Sequence, residues 1–171
     1  MKLLTKKEIK KLVNKESTRD KEIWLILENI EYARNVASMF RTADAAGVKK
    51  IILTGISKTP PFGKEMRQVS RNTENSVPWV FEETTGKAIQ KAKNQGFYVV
   101  AVELTDSAIP MDDLKKKLID KNKVCILLGS EVFGVKNSTL EKCDLSVFIP
   151  MYGKGASLNV ANAGSVVLFS I

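Results

Sequence analysis

With 171 residues and 44% apolar side chains, the chain is long enough to bury one core and has ordinary globular composition, so a single domain over residues 1–171 is expected. It contains no histidine and only two cysteines, Cys125 and Cys143, which excludes Ser-His-Asp and Cys-His catalysis, His-ligated zinc and a disulfide framework. The net charge of +8 directs attention to a polyanion, while the lack of a long apolar run and of a signal-peptide core predicts a cytoplasmic protein with no metal and no membrane partner.

Thr5 and Glu8 stand at capping-box spacing before Ile9, Leu12 and Val13, so a short amphipathic helix is expected over about 6–14, within a basic arm reaching to about 20. Lys2, Lys6, Lys7, Lys10, Lys11, Lys15, Arg19 and Lys21 outnumber the acids there; the run is either a solvated helix face or an RNA-facing arm. The apolar run 23–27 is a first strand. A helix follows from near Asn35, with Val36, Met39, Phe40 and Ala43 inward and Gly47 as its C′ residue. Asn35 is its N-cap or part of its first turn, and Arg41 lies about 120° from the sheet-facing stripe.

Residues 50–54 form a second strand. Residues 55–76 read as a long polar loop carrying Lys58, Lys64, Arg67 and Arg71, with one helical turn around 64–69. A third strand is expected at 77–81, and Thr84 or Thr85 caps a helix ending at Gly96. The β-branched run 97–102 is a strand buried on both faces. A small helix at 111–119 and a buried strand at 124–128 follow. Next come a short helix over 139–142 capped by Ser138, a strand at 145–149, and a last helix starting at Ser157. Strands alternating with helices predict an α/β domain with a mostly parallel sheet covered on both faces. Ligands in such sheets sit beyond the carboxyl ends of strands, here marked by Leu104, Gly129 and Ile149.

Two glycine-rich loops fail as nucleotide sites. Residues 129–137 resemble a phosphate-binding P-loop, but Val135 separates Gly134 from Lys136, Asn137 replaces the metal-binding hydroxyl, and Glu131 places negative charge where phosphates would sit. Residues 153–158 resemble a dinucleotide fingerprint, yet Leu158 occupies the third glycine position and only 16 residues follow Gly155, too few for the second strand and acidic residue.

Three ordered stretches carry a more specific resemblance: Asn35-Val-Ala-Ser-Met-Phe-Arg41-Thr-Ala-Asp-Ala-Ala-Gly47, Leu127-Leu-Gly129-Ser-Glu131-Val-Phe-Gly134-Val, and Ile149-Pro-Met-Tyr-Gly-Lys-Gly-Ala-Ser157-Leu-Asn159. Together they resemble the motifs of the SpoU/TrmH family of SPOUT RNA methyltransferases, over residues 20–171. Ala37 stands where many members carry Gly, and the extra N-terminal RNA-binding domain of several relatives has no counterpart. The resemblance implies a homodimer that transfers a methyl group from S-adenosylmethionine to a ribose 2′-hydroxyl, with a deep trefoil knot in the C-terminal third. It assigns Arg41, Asn35, Glu131, Ser157 and Asn159 to catalysis, with Glu131 pairing with Arg41 and Asn35 orienting Arg41 or the ribose. Leu104, Thr105, Gly129, Ser130, Ile149, Met151 and Leu158 would hold the cofactor. The expected substrate is tRNA; rRNA and a non-catalytic RNA-binding or cofactor-binding module on the same scaffold are the alternatives. Val160, Ala163, Val167 and Leu168 are expected to supply a dimer face.

Overall fold

The computed structural model describes residues 2–16 and 20–171; Arg19 and the end of the predicted basic arm lie outside the described residues. Seven strands form one sheet, in the order β3-β2-β1-β6-β4-β7-β5, and every paired neighbour runs parallel. The strands are β1 (Glu22–Glu28), β2 (Lys50–Thr54), β3 (Trp79–Glu82), β4 (Tyr98–Val102), β5 (Ile109–Pro110), β6 (Lys123–Leu128) and β7 (Leu145–Phe148). The helices are α1 (Lys6–Glu16), α2 (Ala33–Ala45), α3 (Lys64–Ser70), α4 (Thr85–Asn94), α5 (Met111–Lys117), α6 (Asn137–Leu140) and α7 (Val160–Ser170).

Successive side chains of a strand point to opposite faces, and here both faces are apolar. Ile23, Leu25 and Leu27 of β1 pack with Leu53, Ile126 and Leu128 beneath α2 and α7, where Val36, Met39, Phe40, Val167 and Leu168 are buried. Trp24 and Ile26 face the other way, with Val99, Ala101, Cys125 and Leu127, against Ala88, Ile89 and Ala92 of α4. A sheet buried on both sides needs continuous apolar strands, which is why 23–27 and 124–128 have no polar alternation.

Local chemistry sets most helix ends. Thr5 and Glu8 form the expected capping box: the Thr5 backbone N–H donates to Glu8 Oε2 at 2.7 Å, and the Thr5 hydroxyl donates to the same oxygen at 2.6 Å. These bonds hold the Glu8 carboxyl below its ordinary pKa. Thr84 caps α4 by accepting from the Lys87 N–H at 3.3 Å. Gly47 follows α2 at φ 70°, the left-handed conformation that closes a helix without Cβ strain.

Several boundaries differ from expectation. In the 55–76 segment the helical turn expected around 64–69 is present as α3, and a 3₁₀ turn at Thr73–Asn75, which was not expected, follows it. Buried Glu74 accepts from the Ser70 hydroxyl at 2.5 Å, joining the two turns. Asn137 opens α6; Ser138 is therefore inside that helix and caps nothing. Of the two placements expected for Asn35 the structure shows the first turn, as third residue of α2, while the N-cap is Tyr32, which makes no side-chain cap bond. Ser157 does not start the last helix: residues through Leu158 stay irregular and Asn159 is the cap, accepting from the Ala161 N–H at 3.0 Å. Val160, Val167 and Leu168, expected at a dimer face, are buried in the core of this chain, leaving Val166 and Phe169 as the exposed apolar residues of α7.

Candidate functional site

Because all strands are parallel, their carboxyl ends share one edge, and the loops after β1, β4, β6 and β7 gather there. The loop after β6 doubles back immediately. Ser130 and Gly134 exchange backbone N–H···O bonds at 3.0 Å, and the Phe133 N–H donates to the Ser130 hydroxyl at 3.0 Å. This return brings backbone so close to Gly129 that a Cβ there would lie 2.2 Å from the Gly134 carbonyl carbon and 2.3 Å from the Val135 nitrogen. Only glycine fits.

Glu103, just beyond β4, fastens that loop from the other side. Its Oε2 accepts from the Val135 N–H at 2.9 Å and its Oε1 from the Leu104 N–H at 3.0 Å. The sequence offered no hint of this role, since Glu103 sits in no motif.

These loops and residues 149–159 enclose a cavity of about 870 Å³, lined by Leu104, Gly129, Ser130, Glu131, Ile149, Met151, Ser157, Leu158 and Asn159. Leu104 is 70% exposed and Leu158 40% exposed, so the cavity has an apolar rim left open among the described residues. Six of the seven expected cofactor residues line it. Thr105 does not: it lies in the neighbouring groove, hydrogen-bonded to the Ser146 hydroxyl at 2.7 Å.

A second, separate groove of about 540 Å³ runs between α2 and α7, lined by Arg34, Asn35, Ser38, Arg41, Thr42, Asn159, Asn162 and Ser165. Thr42 and Ser165 link the two helices through their hydroxyls at 3.0 Å. The cavity and the groove have one lining residue in common, Asn159.

A hydrogen-bond relay crosses that junction. Asn35 Nδ2 donates to Glu131 Oε1 at 2.7 Å, and Asn159 Nδ2 donates to Asn35 Oδ1 at 3.1 Å. A carboxylate only accepts, so its presence fixes the orientation of the Asn35 amide. That in turn fixes the Asn159 amide and directs the Asn159 oxygen to its own helix N-terminus. Three of the five expected catalytic residues are therefore one unit.

Two expected contacts are absent. Glu131 does not pair with Arg41: its carboxylate is taken by Asn35 and, at 3.4 Å, by the Glu31 N–H. Asn35 does not orient Arg41 either, since both ends of its amide are engaged. Helix geometry explains both. Six residues of α-helix amount to about 600°, so Asn35 and Arg41 point about 120° apart and no single side chain at the loop reaches both. Arg41 is exposed in the groove, and no ion pair among the described residues includes it. Ser157 lines the cavity, exposed, outside the relay. Arg34, which sequence reasoning passed over, shares the groove with Arg41; its spacing of seven residues from Arg41 was the available signal.

Residues 22–169 match the SpoU rRNA Methylase family. The chain is 30% identical over 171 residues to the tRNA (guanosine(18)-2′-O)-methyltransferase of Aquifex aeolicus, covering 98% of this chain and 76% of that one. It is 30% identical over 155 residues to the enzyme of the same name from Escherichia coli, of which it spans 63%. Among solved structures, the A. aeolicus TrmH/SpoU tRNA modifying enzyme superposes with a TM-score of 0.75 at 25% identity, covering 89% of this chain and 74% of that one. An AdoMet-bound rRNA methyltransferase from Sinorhizobium meliloti superposes with a TM-score of 0.79 at 28% identity, covering 89% of this chain and 56% of that one. The matched span includes all three motifs and the C-terminal third in which a knot is expected, and with the parallel sheet and the loops at its carboxyl edge it settles the assignment: the chain belongs to the SpoU methylase family.

Proposed function

We propose that this protein is an S-adenosylmethionine-dependent RNA ribose 2′-O-methyltransferase, a single-domain homodimer that acts on tRNA in the cytoplasm. The observation that carries the reading is the adjacency of two different sites, an apolar-rimmed cavity at the strand ends and a cationic groove beside it, joined through Asn159 in a chain of this family. The relatives named for tRNA favour that substrate; the S. meliloti structure makes rRNA the runner-up.

The cavity suits S-adenosylmethionine. Leu104, Ile149, Met151 and Leu158 offer apolar surface for an adenosyl group, and the irregular backbone at Gly129 and residues 149–158 offers N–H and C=O groups outside any helix ladder. The cofactor supplies a methyl group already activated on a sulfonium centre. What the protein must add is alignment of a weakly nucleophilic hydroxyl and an outlet for its proton. Arg41 is no proton acceptor, because guanidinium groups stay protonated in proteins. It grips the phosphate beside the target ribose with its planar fork of donors and so fixes the hydroxyl in line. The relay holds Glu131 at the cavity wall, where its carboxylate serves as an anionic acceptor. Ser157 lines the cavity and Asn159 stands where cavity and groove meet, both positioned to contact substrate.

Arg41 lines the groove and not the cavity, which supports assembly of the complete site from two copies. The exposed Val166 and Phe169 of α7, next to Ser165 of the groove, supply apolar surface for that contact. The basic residues of α1 and the 58–71 segment supply further phosphate contacts.

Incubation with methyl-labelled cofactor and tRNA or rRNA, followed by mapping of the modified nucleotide, tests the reading. Incorporation at a ribose 2′-oxygen of tRNA is expected. Cofactor and RNA binding without incorporation would instead establish a non-catalytic module.

A further inference from the structure

We propose that Arg34 is a second phosphate-binding residue, which holds a backbone phosphate neighbouring the one gripped by Arg41 and thereby positions the RNA strand along the α2–α7 groove. The proposal rests on the RNA-methyltransferase reading above and adds a residue to it.

The first support is geometric. Arg34 and Arg41 are seven residues apart on α2, about 700° of rotation, so the two side chains emerge within about 20° of the same direction. They are separated by about 10.5 Å along the axis. Both line the same groove and both are exposed. Ser38, one turn from each, adds a hydroxyl to the floor between them.

The second support is electrostatic. Among the described residues no carboxylate lines the groove, and no ion pair includes Arg34. Two guanidinium groups on one wall, with no acid among the residues that line the groove, mark a site for an anion that these residues do not supply. The guanidinium fork matches two oxygens of one phosphate, so two forks a helix turn or two apart suit successive phosphates of one strand better than a single small anion.

The third support is that Arg34 is badly placed for stability. It is the second residue of α2, whose first turn holds no acid. A cation there opposes the helix dipole. Its position is costly to the helix and serves the groove.

The test compares wild type with Arg34→Ala and Arg34→Lys, using unfractionated tRNA as the probe in filter binding across a salt series, alongside steady-state kinetics. Arg34→Ala is expected to weaken tRNA binding about 10- to 100-fold, the range for loss of a hydrogen bond to a charged group, and to reduce the salt slope by about one. The kinetic loss is expected to fall more on KM for tRNA than on kcat. Arg34→Lys, which keeps charge but loses the fork, should recover part of the affinity. Cofactor affinity should hold, and the melting temperature of Arg34→Ala should be equal to or above wild type, since an opposed dipole is relieved; a merely structural role would lower it. Equal tRNA affinity and salt slope for wild type and Arg34→Ala overturn the proposal, as does a parallel loss of cofactor binding. Absence of methyl transfer by wild type would overturn the enzymatic reading separately, with the binding series still deciding the role of Arg34.

Discussion

Replacing Asn35 tests the relay most directly, because the side chain is buried, 9% exposed, and both ends of its amide are used. Asn35→Ala removes a 2.7 Å bond to the Glu131 carboxylate and a 3.1 Å bond from Asn159. Loss of a hydrogen bond to a charged group costs about 1.5–3 kcal/mol. The Asn159 amide is exposed enough for water to replace its partner, so the second bond adds little. A total of about 2–3 kcal/mol corresponds to a melting-temperature fall of about 5–10 °C in a chain of this size. Asn35→Asp is the sharper variant. It preserves shape but sets a second carboxylate against Glu131, and like charges so close raise the pKa of the pair in the folded state. The folded protein then holds a proton that the unfolded chain has released, so stability falls as pH rises through about 5 to 7.5. Asn35→Asp should therefore be less stable than Asn35→Ala at pH 7.5, with the gap closing near pH 5. Urea denaturation of both variants at the two pH values measures this. Wild-type stability for Asn35→Asp at pH 7.5, or no recovery on acidification, refutes the arrangement.

Arg41→Ala should lower methyl transfer at least about 100-fold while melting temperature and cofactor affinity stay at wild-type levels, because Arg41 is exposed and makes no ion pair among the described residues; appreciable turnover measured by label incorporation contradicts its role. Gly129→Ala should unfold or gravely destabilise the protein, by more than about 3 kcal/mol in denaturant titration, since the new Cβ meets fixed backbone at 2.2 Å and not a movable side chain. Burial pushes the Cys143 thiol up to about 12 and the Cys125 thiol higher still. Unfolded thiols ionise first, so stability should fall as pH rises above about 9, and native protein should alkylate far more slowly than denatured protein at pH 8; equal alkylation rates would falsify the burial argument.

The strands were legible because a sheet covered on both faces demands uninterrupted apolar runs, and 23–27, 51–53 and 124–128 supply them. β5 escaped notice because two residues, one of them proline, carry no periodicity. Helix caps were legible where one candidate stood at the boundary, as at Thr5. They failed where two did: Ser157 and Asn159 are both good cap residues, and the choice depends on Leu158, which lines the cavity and keeps the chain irregular for one further step. The motifs drew attention to residues that the structure gathers at one edge of the sheet, but their pairing was not legible. A carboxylate and an arginine near one another in a list invite an ion pair, and nothing in a linear sequence says that the loop bearing Glu131 meets the Asn35 side of α2 and not the Arg41 side.

The same angular division explains how one helix serves two sites. About 120° of the α2 surface separates Asn35, which faces the β6 loop and the cap of α7, from Arg41, which faces open groove together with Arg34. The relay leaves the arginines unpaired because it satisfies Glu131 with an amide. Had Glu131 paired with Arg41, as the sequence suggested, the groove would hold a neutralised cation and little attraction for a phosphate. An asparagine between the acid and the arginines keeps the acid at the cavity and the positive charge in the groove.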